Sequence, residues 1–250
     1  MNISIRVSFP ENGGYDWTEA LKEYEAVGSV EVAFYMPQSF LNNVNIEDVV
    51  APFKNLKVRC SSVHMAHARI TEPFIFEPVL RRTIGIARAL DCNIVVAHPS
   101  FGKLEQAESF IGGAVSPLLE KNAIFLCWET FSGKRRFLSG IEGIAAFCRE
   151  RSCYKACFDF SHIHEKQEKL LEDINKHFDL IYVFHMSNRI VDRKLQHLPI
   201  FHEDADLDFH RILQFLKRRG FSGRIVLEYL PEYHSFLAKD ARILIERYGE

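Results

Sequence analysis

The 250-residue chain contains no apolar run near the roughly 20 residues that a membrane helix requires, and its start, MNISIRVSFP, lacks the basic-then-apolar pattern of a secretory signal. A cytoplasmic protein with no membrane partner is the expectation. Charge of one sign is equally scarce. The 31 Lys and Arg face 33 Asp and Glu, a formal net charge of -2, so there is no global footprint for nucleic acid, although a local basic patch stays open. Six cysteines form no CxxC pair, and several lie in apolar runs such as IFLCW and IAAFC, which reads as reduced, structural thiols. No GxGxxG follows the first strand-like run, so nothing seats a dinucleotide. Linkers, low-complexity tracts and solenoid repeats are also absent, and one domain over residues 1–250 is the economical reading.

What is present is ordinary in amount, 47% hydrophobic and 26% charged residues, and informative in order. A short β-branched or aromatic run, a polar break and a segment of helical period recur eight times. The strand candidates are 3–8, 29–35, 57–63, 93–97, 123–128, 155–158, 180–184 and 224–227. Helical candidates are 17–26, 46–54, 77–90, 104–121, 139–151, 165–177, 207–219 and 235–248. Asp16 or Thr18 can cap the first helix, and Gly220 follows the cations Arg218 and Arg219 at the end of the seventh. Strict βα alternation over eight units predicts an α/β fold, a single (β/α)8 TIM barrel, with an open doubly wound sheet as runner-up. A chain of this length buries about 70% of its unfolded surface, so any metal would be functional rather than a staple.

Barrel enzymes carry their chemistry at the C-terminal ends of the strands. There the sequence places His64, His98, Glu129, Asp159, His185 and Glu228 after strands three to eight, all of metal-binding types. Alone, His64 or His98 reads first as a surface or capping residue. Glu129 in FLCWETF and Glu228 in IVLEYL each close an apolar strand, where an unpaired carboxylate is expensive and a cation partner is favoured. Asp159 and His162 stand three apart in FDFSHIH, with a helix cap by Asp159 or Ser161 as the bland alternative. After His185 one long loop carries Asn188, Arg189, Asp192, Arg193 and His197. Lys134, Arg135 and Arg136 could bind a phosphate but read first as a solvated loop, Trp128 could wall a ligand or pack the core, and His67, His164, His177, His202, His210 and His234 read as surface residues.

The motifs HMAH, AHPSFG, WETF, FDFSH, HMSN, HLPI and LEY, from about residue 57 to the end, resemble the xylose isomerase-like TIM-barrel superfamily of sugar and sugar-phosphate isomerases and epimerases and of endonuclease IV. In epimerase-type members the resemblance implies a divalent ion, Mn, Mg, Co or Zn, held by Glu129, Asp159, His185 and Glu228. It implies further that Glu129 and Glu228 are catalytic, flanking the substrate and shuttling a proton, while His162 and Arg193 touch substrate hydroxyls. Endonuclease IV-type members add histidines for three zinc ions, and His64, His98 and His162 match those places. Asp192 and Arg193 begin an Asp-x-His motif, but Lys194 stands where its histidine belongs. His197 instead fits the HLPI segment, followed here by FHEDADLDF rather than a glycine-rich stretch.

Two functions follow, the first being a metal-dependent isomerase or epimerase on a sugar or sugar phosphate, through an enediolate, with Glu129 and Glu228 as acid and base. The alternative is a zinc phosphodiesterase on abasic DNA, the one case with a nucleic-acid partner. A degenerate barrel that binds without turnover is a third reading, disfavoured by two rim glutamates. A homodimer is compatible with this class of barrel, and no interface pattern marks one.

Overall fold

The computed structural model describes all residues except 133–137, 139 and 250. Lys134, Arg135 and Arg136 therefore lie outside the described residues. Eight parallel strands close a barrel, namely β1 (Asn2–Ser8), β2 (Ser29–Ala33), β3 (Arg59–His64), β4 (Ile94–Ala97), β5 (Phe125–Glu129), β6 (Tyr154–Asp159), β7 (Ile181–Met186) and β10 (Arg224–Leu227). Closure is made by β1, which pairs with β2 through Ile5↔Val30 and with β10 through Asn2↔Arg224. That double pairing excludes the open sheet.

Each strand is followed by helix, and the punctuation works as its chemistry demands. Asp16 accepts from the amides of Thr18 and Glu19 at 2.8 and 3.2 Å to start α1 (Trp17–Lys22), satisfying two orphan donors of the first turn. Gly220, at φ 69°, turns the chain out of α9 (Phe209–Arg218) in a conformation that a side chain would strain. Two helical expectations are corrected. The stretch 46–54 is preceded by an unforeseen helix, α2 (Pro37–Asn43), and divides into α3 (Ile46–Val50) and a 3-10 turn (Ala51–Lys54) carrying Pro52. The stretch 104–121 is not one helix: a 3-10 turn and α5 (Glu108–Phe110) lead through a π turn (Ile111–Val115) into α6 (Ser116–Lys121). Pro117 has no amide to donate back to Gly113, and Gly112 and Gly113 tolerate the wider turn.

The long loop after β7 is also corrected. It contains an antiparallel hairpin, β8 (Asn188–Ile190) with β9 (Leu195–Leu198), turned by Lys194 at φ 56°. Around the barrel stand α4 (Pro73–Ala89), α7 (Ile141–Arg149), α8 (Gln167–Lys176) and α10 (His234–Tyr248), whose apolar faces cover buried strand residues such as Ile5, Val95, Leu126 and Phe184. All six cysteines are buried, free thiols. Among the described residues no helix is long and apolar enough to cross a membrane.

Candidate active site

Parallel strands ending at one rim bring their last residues together. Glu129 and Asp159 end β5 and β6, His185 lies one residue before the end of β7, and Glu228 follows β10. These four strands are consecutive around the barrel, with the two glutamates on the outer pair. One ligand atom from each residue lies within 4.8 Å of the others. His185 Nδ1 is 3.2 Å from Glu228 Oε2 and 3.7 Å from both Glu129 Oε1 and Asp159 Oδ2. Those four atoms are buried and make no hydrogen bond.

The far atoms, by contrast, are anchored. Asp159 Oδ1 accepts from the Ser161 amide and hydroxyl at 2.7 and 2.8 Å and from the His162 amide at 2.9 Å, which turns the chain sharply after β6 and leaves Oδ2 for the cluster. So the capping alternative for Asp159 is half right, since it caps its own turn while α8 begins only at Gln167. Glu129 Oε2 faces His64 Nε2 at 3.0 Å and His98 Nε2 at 3.1 Å, and Glu228 Oε1 accepts from Arg6 of β1. Burial would raise both glutamate carboxyls, yet both are held well below the usual range, Glu129 chiefly by His98 and His185 and Glu228 chiefly by Arg6.

The remaining histidines sort by environment. Burial, with Arg6 adding to it, pushes His64 down to about 4, so it is neutral at physiological pH. Burial also works to lower His162, but Asp159 and Glu129 overcome it and push this imidazole up to about 9. His162 Nδ1 sits 3.0 Å from Glu129 Oε1, its ring stacks on Phe131, and its Nε2 lies 3.2 Å from His197 Nε2. His197, at an uncommon φ of 54°, is seated by Ser187 and Ser161 on its Nδ1. Above the cluster opens a cavity of about 270 Å3, at the lower end for small-molecule sites, lined by Arg6, Tyr35, His98, His162, His197 and Glu228 among others. Barrel, rim cluster and cavity together are the pattern of a known family, and residues 79–246 match the one described as xylose isomerase-like TIM barrel.

The chain belongs to that family. Solved structures agree on the fold at low identity. A D-tagatose 3-epimerase-like protein superposes with a TM-score of 0.74 at 17% identity, covering 98% of this chain and 96% of that one. The 3-keto-D-glucoside 4-epimerase of E. coli gives 0.70 at 14%, covering 98% and 99%, and endonuclease IV of Thermus thermophilus gives 0.67 at 16%, covering 98% and 99%. Among curated proteins none matches. For a member of the xylose isomerase-like family, the rim thus gathers His64, His98, Glu129, Asp159, His162, His185, His197 and Glu228, and leaves out Arg193. That residue sits at the hairpin turn, 63% exposed, with Asp204 at 3.5 Å.

Three further residues belong to the site and escape the rim rule. Glu31, fully buried on β2, lies 3.2 Å from His185 Nε2, and Arg6 joins it to Glu228. His67, exposed as expected, also lines the cavity with its ring 4.2 Å from that of His98. His177 is a correction away from the site, being buried at the end of α8 with Nε2 3.1 Å from Glu142.

Proposed function

We propose that the protein is a divalent-metal-dependent isomerase or epimerase that acts on a small sugar or sugar phosphate by proton transfer through an enediolate. The observation that carries this reading is the set of four buried ligand atoms converging beneath the cavity without a well-formed hydrogen bond: Glu129 Oε1, Asp159 Oδ2, His185 Nδ1 and Glu228 Oε2. Three carboxylates crowded out of water repel one another, and a cation between them relieves both desolvation and repulsion. Carboxylate oxygens with one imidazole suit Mg, Mn, Co or Zn. When bound, such an ion polarises the carbonyl and hydroxyl oxygens of the substrate and stabilises the enediolate.

The chain's own residues do the proton work. Glu129 and Glu228 occupy the two ends of the β5–β6–β7–β10 arc, so a substrate carbon held over the arc lies between two carboxylates. One removes the carbon-bound proton, its electron pair passing into the enediolate. Return from the opposite side inverts the centre, and return to the neighbouring carbon moves the carbonyl. His162, beside Glu129 at the cavity wall, is placed to hydrogen-bond a substrate hydroxyl. The epimerases among the structural neighbours support this choice of reaction.

Two measurements test it. Elemental analysis of protein purified without chelator should find one exchangeable divalent ion per chain. Incubation with ketoses, aldoses and their phosphates in deuterium oxide should then label the carbon beside a carbonyl, and Glu129→Gln and Glu228→Gln should each abolish labelling while the fold is retained. Undiminished labelling by either variant overturns the mechanism.

One observation favours the phosphodiesterase alternative. A neutral His64 carries one ring hydrogen but stands between two acceptors, with Met65 O 3.2 Å from Nδ1 and Glu129 Oε2 3.0 Å from Nε2, so one contact lacks a proton. With His98 on the same oxygen, a second ion would resolve that contact. Two or three tightly held zinc ions, with cleavage of an abasic-site duplex, would establish this reading in place of the first.

A further inference from the structure

We propose that Glu31 is the positioning residue for His185, holding its ring in the Nε2–H tautomer so that the Nδ1 lone pair is aimed into the rim cluster. The inference rests on the reading of that cluster as a metal centre.

Glu31 is 0% exposed and reaches across the barrel from β2, with Oε1 3.2 Å and Oε2 3.3 Å from His185 Nε2. The Nε2 contact has hydrogen-bond geometry, whereas the approach of Nδ1 to Glu228 does not, so Nε2 is the nitrogen placed to keep its hydrogen. With an ion in the cluster, the opposite nitrogen would then present its lone pair toward Glu129, Asp159 and Glu228, a polarity that a tautomeric flip would abolish.

Glu31 is itself fixed from both sides. Arg6, Glu31 and Ser62 stand level on three adjacent strands, β1, β2 and β3. Ser62 donates its hydroxyl to Glu31 Oε2 at 2.6 Å, and Arg6 Nε lies 3.8 Å from Oε1. Burying a carboxylate mid-strand carries a desolvation cost that a purely structural position would avoid with an apolar residue. A row in which two polar side chains hold a third against one imidazole is explained by orientation of that imidazole. Arg6 extends the same row to Glu228, so one device orders two of the four residues of the cluster.

Cobalt(II) binding tests the proposal without a substrate. Wild type, Glu31→Gln and Glu31→Met are titrated with Co2+ by visible absorption and calorimetry, and their metal-free thermal midpoints are compared. The amide keeps an acceptor without charge and the thioether keeps only volume, so affinity should fall about 10-fold and then about 100-fold, the span seen when outer partners of ligating histidines are lost. Midpoints of the metal-free proteins should not follow that order, whereas a merely structural role would move midpoint and affinity together. Long-range 1H–15N correlation of the His185 ring in the Zn2+-loaded wild type should show Nε2 protonated, which keeps the test alive if a variant does not fold. Unchanged affinity in the Met variant, or an Nδ1–H ring in the wild type, overturns the role of Glu31. Failure of the wild type to bind Co2+ overturns the metal centre itself.

Discussion

Arg6 and Glu228 form an ion pair inside the barrel mouth, the guanidinium Nη1 donating to Oε1, with side chains 5% and 15% exposed. A permanent cation therefore neutralises one oxygen of a glutamate whose other oxygen faces the cluster. Removing one partner of such a pair strands a charge out of water. Arg6→Met should destabilise the metal-free protein by about 3 to 5 kcal/mol in urea unfolding. Added divalent ion should recover part of the loss, because it supplies Glu228 with another cation. A variant as stable as wild type would mean that the pair is solvated.

Metal-free stability should peak near pH 6.5 and decline on both sides. His162, raised to about 9 in the folded state, contributes stability that is complete below the unfolded value of 6.5 and is lost as pH rises through 9. His64, lowered to about 4, works in the opposite sense, since it must be charged on unfolding below 6.5 while the fold keeps it neutral, so stability is lost as pH falls from 6.5 toward 4. The His162 arm amounts to on the order of 3 kcal/mol. Thermal melts in EDTA from pH 5 to 9 check both arms, and a flat profile above 6.5 would show that His162 titrates normally.

The rim residues were legible because a βα repeat fixes where each strand ends, and a strand end in a closed barrel is a position with one destination. Glu31 and Arg6 were not legible for a related reason. They sit mid-strand in SVEVAFY and ISIRVS, where alternation of polar and apolar residues imitates a sheet with one wet face. A closed barrel has no wet face: one set of side chains meets helices and the other meets the interior. A charged residue in the body of a barrel strand was therefore the signal available and unused. The hairpin β8–β9 was hidden by its brevity and by a turn whose positive-φ residue is Lys194 rather than glycine. His67 needed the fold, since only the loop after β3 swings its ring against His98.

Tyr229, the residue after Glu228, ties three segments together. Its hydroxyl donates to Asp240 of α10 at 2.8 Å and accepts from the Ile200 amide at 3.0 Å, all three groups being buried. Tyr229→Phe should cost about 1 to 3 kcal/mol, because a carboxylate and an amide lose their partner out of water. The loss should appear in denaturant midpoint, and hydrogen exchange should quicken at Ile200 before it does in the strands. Unaltered protection at Ile200 would show that water replaces the hydroxyl.

Chelation should act on stability through the four converging ligand atoms of the rim cluster. If they hold an ion, its binding to the folded chain alone adds RT ln(1 + [L]/Kd), about 2.7 kcal/mol at a hundredfold excess over the dissociation constant. The thermal midpoint should then fall on treatment with EDTA and rise again in proportion to the logarithm of added Mn2+ or Zn2+. Asp159→Asn is the decisive control. Its remaining oxygen can still accept from Ser161 and His162, so the turn after β6 survives, while an amide replaces Oδ2 in the cluster. This variant should lower the metal-free midpoint at neutral pH, because Asp159 is the main charge that holds His162 protonated, and should lose most of the response to added metal. An undiminished metal response in Asp159→Asn would place the ion elsewhere, with His64, His67 and His98 as the next cluster to examine.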